Sequence, residues 1–319
     1  MEILKLGFPY SIFGLGAGLV VGGGVVALLF GVVTAIIIFL AIWLNIIRID
    51  PILGWIQKAV EWSIPSAIQT YKENIRRSFT IDVDPSLLEM SKARTSIYMW
   101  HPHGLFSASV FFHVLSPFTQ FPSELRPLSQ VVLSSVCDFP GLHQLVPLWN
   151  ITPSRESDMN SSLAANKSLS VVLGGVREIL STQPNKLVLN IAKKKGIFKL
   201  ALQHGSALVP VITYGENEMY ELNSWWGLKW INTKLLDGLG IVLPIPTLHC
   251  VQKWYTLLQK PFETPVHTVI GPPLLVEKVD SKHISEHMIE ELREKYIAAL
   301  KQLYSRTRPA KYREEIEII

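Results

Sequence analysis

Charge is what this sequence is short of. Asp, Glu, Lys and Arg make up 18% of its 319 residues, against about 25% in an average soluble domain. Much of the deficit lies near the start. From Leu6 to Ile47 there is no Asp, Glu, Lys, Arg or His. A spanning helix needs about 20 apolar residues, so this run is long enough to cross a bilayer twice. It is too long for a secretory leader, whose apolar core is about 7–15 residues. Its second half, "VVALLFGVVTAIIIFLAIWLNII", is expected to stay in the membrane. The first half is Gly-rich, and Gly22, Gly23 and Gly24 form a break. Lys5 stands before the run, and Arg48 and Lys58 follow it. Positive flanks on both sides favour a hairpin with both ends cytosolic over a single span.

Cysteine is nearly absent. Cys137 and Cys250 are the two present, and neither belongs to a CxxC pair. That excludes a disulfide framework and a zinc knuckle. The glycosylation sequons at Asn150, Asn160 and Asn166 are expected to be empty on a cytosolic chain. No long basic run and no RNA-binding motif occurs, so nucleic acid is not an expected partner. No Gly-x-Ser-x-Gly elbow occurs either, which argues against a lipase.

What is present divides the chain into three parts. Residues 1–50 read as a membrane anchor, hairpin or single span. Residues 51–79 read as an interfacial helical segment, with Trp55, Trp62 and Tyr71 suited to a membrane surface. Residues 80–319 read as one domain. In it, short β-rich runs recur: "TSIYMW", "SQVVLSSV", "LSVVLGG", "KLVLNIA", "ALVPVITYG" and "VHTVIGPP". Helical stretches lie between several of them, notably "GIFKLALQHG". The alternation predicts an α/β fold, a mostly parallel sheet flanked by helices. A last long helix carries Ile284, Met288, Leu292, Tyr296 and Leu300 at helical spacing, which predicts that it packs on the sheet.

In such a sheet the chemistry gathers where strands end and helices begin. "SIYMW" reads as a strand, "HPHG" as a turn and "LFSASVFFHVL" as a helix. Pro102 fixes its own φ and holds His101 extended. Gly104 permits a tight turn. The free amides of the following helix are expected to hold an anion or oxyanion. A metal site needs at least three ligands, and no Asp, Glu or Cys lies within ten residues of the pair. A turn that merely caps a helix and a catalytic base are the other readings. Histidine titrates near neutral pH, which favours the base.

The order of three stretches resembles the diacylglycerol acyltransferase type-two family, which includes monoacylglycerol and wax-alcohol acyltransferases. "HPHG" after a strand is the first. "VVLGGVREIL" resembles the Gly-Gly-x-x-Glu segment, at Gly174, Gly175 and Glu178. "KKKGIFKLALQHGSALVPVITYGENEMY" resembles the longest signature, at Lys195, Gly196, Phe198, Ala201, His204, Gly205, Leu208, Val209, Pro210, Gly215, Glu216 and Asn217. The chain departs from the family at Met99-Trp100, where Gly-Tyr is usual, at Ile197, which is inserted, and at Tyr214.

The resemblance implies a glycerolphosphate-acyltransferase-like fold and acyl transfer from acyl-CoA to a lipid hydroxyl. Diacylglycerol is the expected acceptor, giving triacylglycerol; a monoacylglycerol or a fatty alcohol is the alternative. A non-catalytic membrane or lipid-droplet scaffold is the rival of a different class. Acyl-CoA is a co-substrate, and no cofactor or metal is implied. The endoplasmic reticulum membrane is the expected location, with the lipid droplet as a second, and a homo-oligomer is compatible. Among the residues, His103 is the expected base and His101 its support. The related glycerolphosphate acyltransferases carry an Asp five residues after the His. Here those positions are Phe106 and Ala108, so an acid must come from elsewhere. Glu178 is the expected one, orienting the imidazole. Pro102, Gly104, Gly174 and Gly175 shape the turns. Lys193, Lys194 and Lys195 before Gly196 are expected at the CoA phosphates, or on a solvated turn. Glu216 and Asn217 complete the set, Glu216 as an acid bonded to nearby backbone amides.

Overall fold

The computed structural model describes residues 65–91, 93–115, 119–125, 127–139, 142–144, 146–147, 149–219, 226–239 and 260–319, with residues 51, 55, 58, 62, 242 and 257. The uncharged run lies outside them, and with it the expected anchor; so does Cys250. Among the described residues no helix is long and apolar enough to cross a membrane. The expected interfacial segment is described in part. Pro51, Trp55, Lys58 and Trp62 are helical and exposed, and helix α1 spans Pro65–Ser78.

Seven strands form one sheet in the order β1-β8-β7-β2-β5-β3-β4. They are β1 Phe79–Val83, β2 Ser96–His101, β3 Leu128–Val132, β4 Ile151–Pro153, β5 Ser168–Val172, β7 Ala207–Tyr214 and β8 Val266–Ile270. All neighbouring pairs are parallel except β7 with β8. The mostly parallel α/β sheet expected from the alternation is therefore present. The run "KLVLNIA" departs from the expectation. It supplies only the two-residue strand β6, Val188–Leu189, which pairs outside the main sheet with β9, Glu317–Ile318.

Helices cover both faces. They are α2 Pro85–Met90, α3 Ala108–Val110, α4 Ser134–Cys137, α5 Glu156–Ala164, α6 Val176–Ile179, α7 Gly196–His204, α8 Trp226–Leu239 and α9 Glu286–Thr307. Strand β2 shows why. It lies in the middle of the sheet, and all six of its residues are buried. Alternate side chains leave opposite faces. Ile97 and Met99 join Phe198 of α7 and Leu292, Tyr296 and Leu300 of α9 in one core cluster. Tyr98 and Trp100 join Val110, Leu125, Val209 and Val211 in another. A buried Leu-sized side chain contributes about 1.5–3 kcal/mol, so a strand clamped this way is a rigid platform for the turn after it.

Helix ends follow local chemistry. Ser285 accepts from the Met288 N–H and starts α9. Gly205 stops α7 in the left-handed conformation, φ +66°, as its position in the sequence predicts. The helix expected over 105–115 is shorter and different. α3 covers Ala108–Val110 only, and Phe111–Leu115 continue it as a π-helix.

Candidate active site

The HPHG turn leaves the C-terminal end of β2, in the middle of the sheet. β5 on one side and β7 on the other run parallel to β2. Their exits therefore lie at the same end, bringing together the Gly174–Glu178 and Gly215–Asn217 segments.

His101 is the last residue of β2 and is fully buried. By alternation it shares the face of Ile97 and Met99, toward α9. There its Nε2 meets the Tyr296 hydroxyl at 2.9 Å. Its Nδ1 has no partner among the described residues. Burial pulls its pKa down to about 3, so the ring is neutral at physiological pH. The expected supporting residue is thus held by a tyrosine hydroxyl. Tyr296 was legible only as part of the apolar stripe of the last helix. The His101–Pro102 peptide is cis.

His103 is different. It is partly exposed. Its Nδ1 lies 3.1 Å from the Gly104 carbonyl oxygen. A carbonyl only accepts, so this contact requires the proton on Nδ1 and leaves a lone pair on Nε2. Burial lowers the His103 pKa, opposed by hydrogen bonds to backbone. The ring is held neutral with a basic nitrogen available.

Glu178 is buried. Its Oε2 accepts from the His103 backbone N–H at 2.7 Å, and its Oε1 accepts from the Asn190 N–H at 3.0 Å. The expected acid is therefore beside the expected base but does not touch its ring. It holds the His103 peptide, while the Gly104 carbonyl orients the imidazole. Burial raises the Glu178 pKa to about 7, against the pull of those two amides and of the Lys194 charge. A Cβ on Gly174 would lie 2.2 Å from the Glu178 carboxyl carbon, so the carboxyl packs directly on the glycine backbone. Gly175 has φ +64°, which favours glycine.

Glu216 corrects another expectation. The amides at the start of α3 are not free. Ala108 and Ser109 donate to the two Glu216 oxygens at 2.7 and 3.0 Å. The carboxylate occupies the place assigned to an oxyanion, and its reading as an acid bonded to nearby amides holds. It also packs on Gly104 (φ +57°), where a Cβ would lie 2.7 Å from the Glu216 Cγ. Asn217 points away from the turn. Its Nδ2 donates to the Gln183 and Lys186 carbonyls at 3.2 and 3.0 Å, tying a loop.

The three lysines separate. Lys195 pairs with Glu286 of α9. Lys193 is exposed. Only Lys194 turns toward the site: its Nζ lies 4.0 Å from where a Gly175 Cβ would stand, and burial lowers its pKa against the attraction of Glu178 and with the repulsion of Arg177. Gly196 is exposed and a Cβ there meets nothing within 4 Å. Arg177, one residue before Glu178 and exposed, adds a second cation that the sequence reading passed over. Asn190 and Tyr296 are the other residues it missed. Asn190 acts through its backbone N–H, which no side-chain pattern signals.

A neutral imidazole on a strand exit, a buried carboxyl under its peptide and a cation nearby make an arrangement chemically able to move a proton, and comparison with known proteins narrows the chemistry. Residues 27–317 match the family model described as diacylglycerol acyltransferase, and the chain belongs to that family of acyltransferases. The 2-acylglycerol O-acyltransferase 1 of Bos taurus is 30% identical over 303 residues, covering 84% of each chain. The Homo sapiens protein of that name is 30% identical over 70% of this chain and 67% of its own. Diacylglycerol O-acyltransferase 2 of Homo sapiens is 27% identical over 67% of this chain and 56% of its own. A solved 1-acyl-sn-glycerophosphate acyltransferase from Thermotoga maritima aligns over 79% of this chain and 84% of that one, with TM-score 0.41 and 16% identity.

Proposed function

We propose that this acyltransferase moves a fatty acyl group from acyl-CoA to the hydroxyl of a neutral acylglycerol, with His103 as general base. The observation that carries the reading is the His103 ring itself, with Nδ1–H committed to the Gly104 carbonyl and Nε2 left basic. Nε2 takes the acceptor hydroxyl proton as the oxygen attacks the thioester carbonyl. The tetrahedral intermediate expels the CoA thiolate, and the proton on the imidazolium goes to the departing sulfur. A hydroxyl is a poor nucleophile without such a base, and base catalysis of this kind contributes about 10²–10⁴-fold. Glu178 keeps the His103 peptide in place. Lys194 and Arg177 supply positive charge for the CoA phosphates. His101 and Tyr296 support the turn from inside.

Diacylglycerol is the acceptor in the leading reading, with triacylglycerol as product. A monoacylglycerol is the second, supported by the 30% identity to 2-acylglycerol O-acyltransferases. The uncharged run at residues 6–47 supports anchoring to a membrane, the endoplasmic reticulum or a lipid droplet, with the catalytic domain cytosolic. Membranes carrying the chain, incubated with labelled acyl-CoA and separate mono-, diacylglycerol, fatty alcohol and lysophosphatidate acceptors, test the assignment. Labelled triacylglycerol from diacylglycerol is the expected product. Acylation of lysophosphatidate alone would overturn it, and no transfer to any acceptor would return the chain to the scaffold reading.

A further inference from the structure

The stretch of chain that carries His103, between Arg94 and Glu124, is itself free of Asp, Glu, Lys and Arg. This stretch holds β2, the HPHG turn and α3 with its π-helical extension. Phe106 and Phe111 on it are 46% and 45% exposed. The next strand exits at this end behave alike. After β5, Leu180 is exposed. After β3, Leu133, Val136 and Phe139 are exposed. β2, β5 and β3 are parallel neighbours, so all of these side chains leave the sheet at one end. The carboxylate among them, Asp138, is neutralised by both Arg155 contacts, at 2.5 and 2.6 Å.

The route of the chain adds an independent observation. β1 runs antiparallel to β2, because β8 reverses against β7 and β1 follows β8. Phe79, where β1 begins, is therefore at the His103 end, and its ring lies 4.5 Å from that of Phe112. α1 leads into Phe79, and ahead of α1 come the exposed Trp55 and Trp62 and then the uncharged 6–47 run. The chain that follows the most apolar part of the sequence thus enters the sheet, through α1, at the same end as the exposed apolar side chains.

We propose that this end is a lipid-docking face: Phe106, Phe111, Leu133, Val136, Phe139 and Leu180 lie in the interface of the bilayer, at the boundary of headgroups and acyl chains. The inference deepens the reading of the protein as a neutral-lipid acyltransferase and rests on it. Interfacial insertion of an apolar face is driven by the apolar area removed from water, while Arg177 and the Asp138–Arg155 pair stay with the headgroups. A diacylglycerol in the leaflet then reaches His103 sideways, with its acyl chains never crossing water. A second copy of the chain, the rival occupant, would cover the same side chains but also block this path.

Full-length chain is reconstituted in phosphatidylcholine vesicles containing a small fraction of nitroxide-labelled phospholipid. Single cysteines (Phe111→Cys, Val136→Cys, Leu180→Cys) are introduced into a Cys137→Ala, Cys250→Ala background and labelled with an environment-sensitive fluorophore. Leu275→Cys is the control; it is 60% exposed and follows the Leu208–Leu274 bridge at the opposite end of the sheet. Only preparations with a cooperative thermal transition are compared, and Phe106→Cys replaces any position that fails. The expected result is several-fold stronger quenching by the labelled lipid at the three test positions than at Leu275→Cys. Equal, water-like emission at all four positions overturns the proposal. So does blue-shifted emission without lipid quenching, which indicates cover by protein. Acyl transfer measured on the same vesicles keeps the two claims apart: quenching without transfer sinks the functional reading alone, and transfer without quenching sinks the docking face alone.

Discussion

Glu178→Gln isolates the role of the buried carboxyl. Each Glu178 oxygen accepts one backbone N–H, from His103 and from Asn190. An amide keeps one acceptor and turns its NH₂ toward the other N–H, leaving a buried donor without a partner. Such a donor costs about 1–3 kcal/mol. If the mismatch falls on His103, its peptide shifts, and a displacement of about 1 Å in a reacting group costs about 10²-fold in rate. The expectation is a fall in kcat of that order, with KM for acyl-CoA nearly unchanged. The pH dependence gives a second readout. The folded-state pKa is raised from 4.5 to about 7 by burial. Below 4.5 the carboxyl is protonated in both states and costs nothing. As pH rises from 4.5 to 7 the unfolded chain ionises first, so native stability falls by about 3 kcal/mol over that window. Gln does not titrate and removes this slope. Thermal unfolding of the detergent-solubilised protein across that range, beside steady-state kinetics, is the assay. A Glu178→Gln protein with unchanged kcat and the parental pH slope of stability would refute the reasoning.

His103→Ala should lower turnover by at least about 10²-fold with normal membrane insertion, read by product formation per folded protein; because burial lowers the His103 pKa, the acid limb of kcat/KM should lie below the ordinary histidine value of 6.5. Tyr296→Phe strands the His101 Nε2 in the core and should cost about 1–3 kcal/mol of stability while kcat changes far less than in His103→Ala, seen by comparing melting and kinetics. Lys194→Glu should raise KM for acyl-CoA more than Lys193→Glu or Lys195→Glu and more than it raises KM for the acceptor; equal effects of all three would assign the run to the surface.

How far the sequence reached depended on whether the determinant was local. The core strands were legible because their apolar runs are continuous and bounded by turns, and "SIYMW" became β2 at its expected place. The direction of β8 was not, since it depends on the crossing segment between β7 and β8. "KLVLNIA" has the composition of a strand, yet its neighbour is the C-terminal β9, and pairing is not written in composition. At the site, the strand-end rule brought Glu178 to His103 correctly. It did not say which atoms meet, because a peptide N–H carries no side-chain signature. The helix after HPHG was misjudged because Glu216, over a hundred residues on, reaches its first amides, and because Ser107 adopts φ +49° and delays its start. Tyr296 was hidden by its own apolar ring, which fits a packing stripe as well as a hydrogen bond.

The contact between Gly104 and Glu216 ties two distant positions to each other. The carboxylate can reach the Ala108 and Ser109 amides only by lying over the bare Cα of Gly104. A side chain at 104 would push it off those amides. A shorter Asp at 216 would clear the space but lose the reach. Neither residue can be exchanged alone, and a double change restores the room without restoring the cap. The first and third signature stretches are thus one mechanical unit: a side chain introduced at position 104 should loosen the start of α3 as much as removal of the Glu216 carboxyl does.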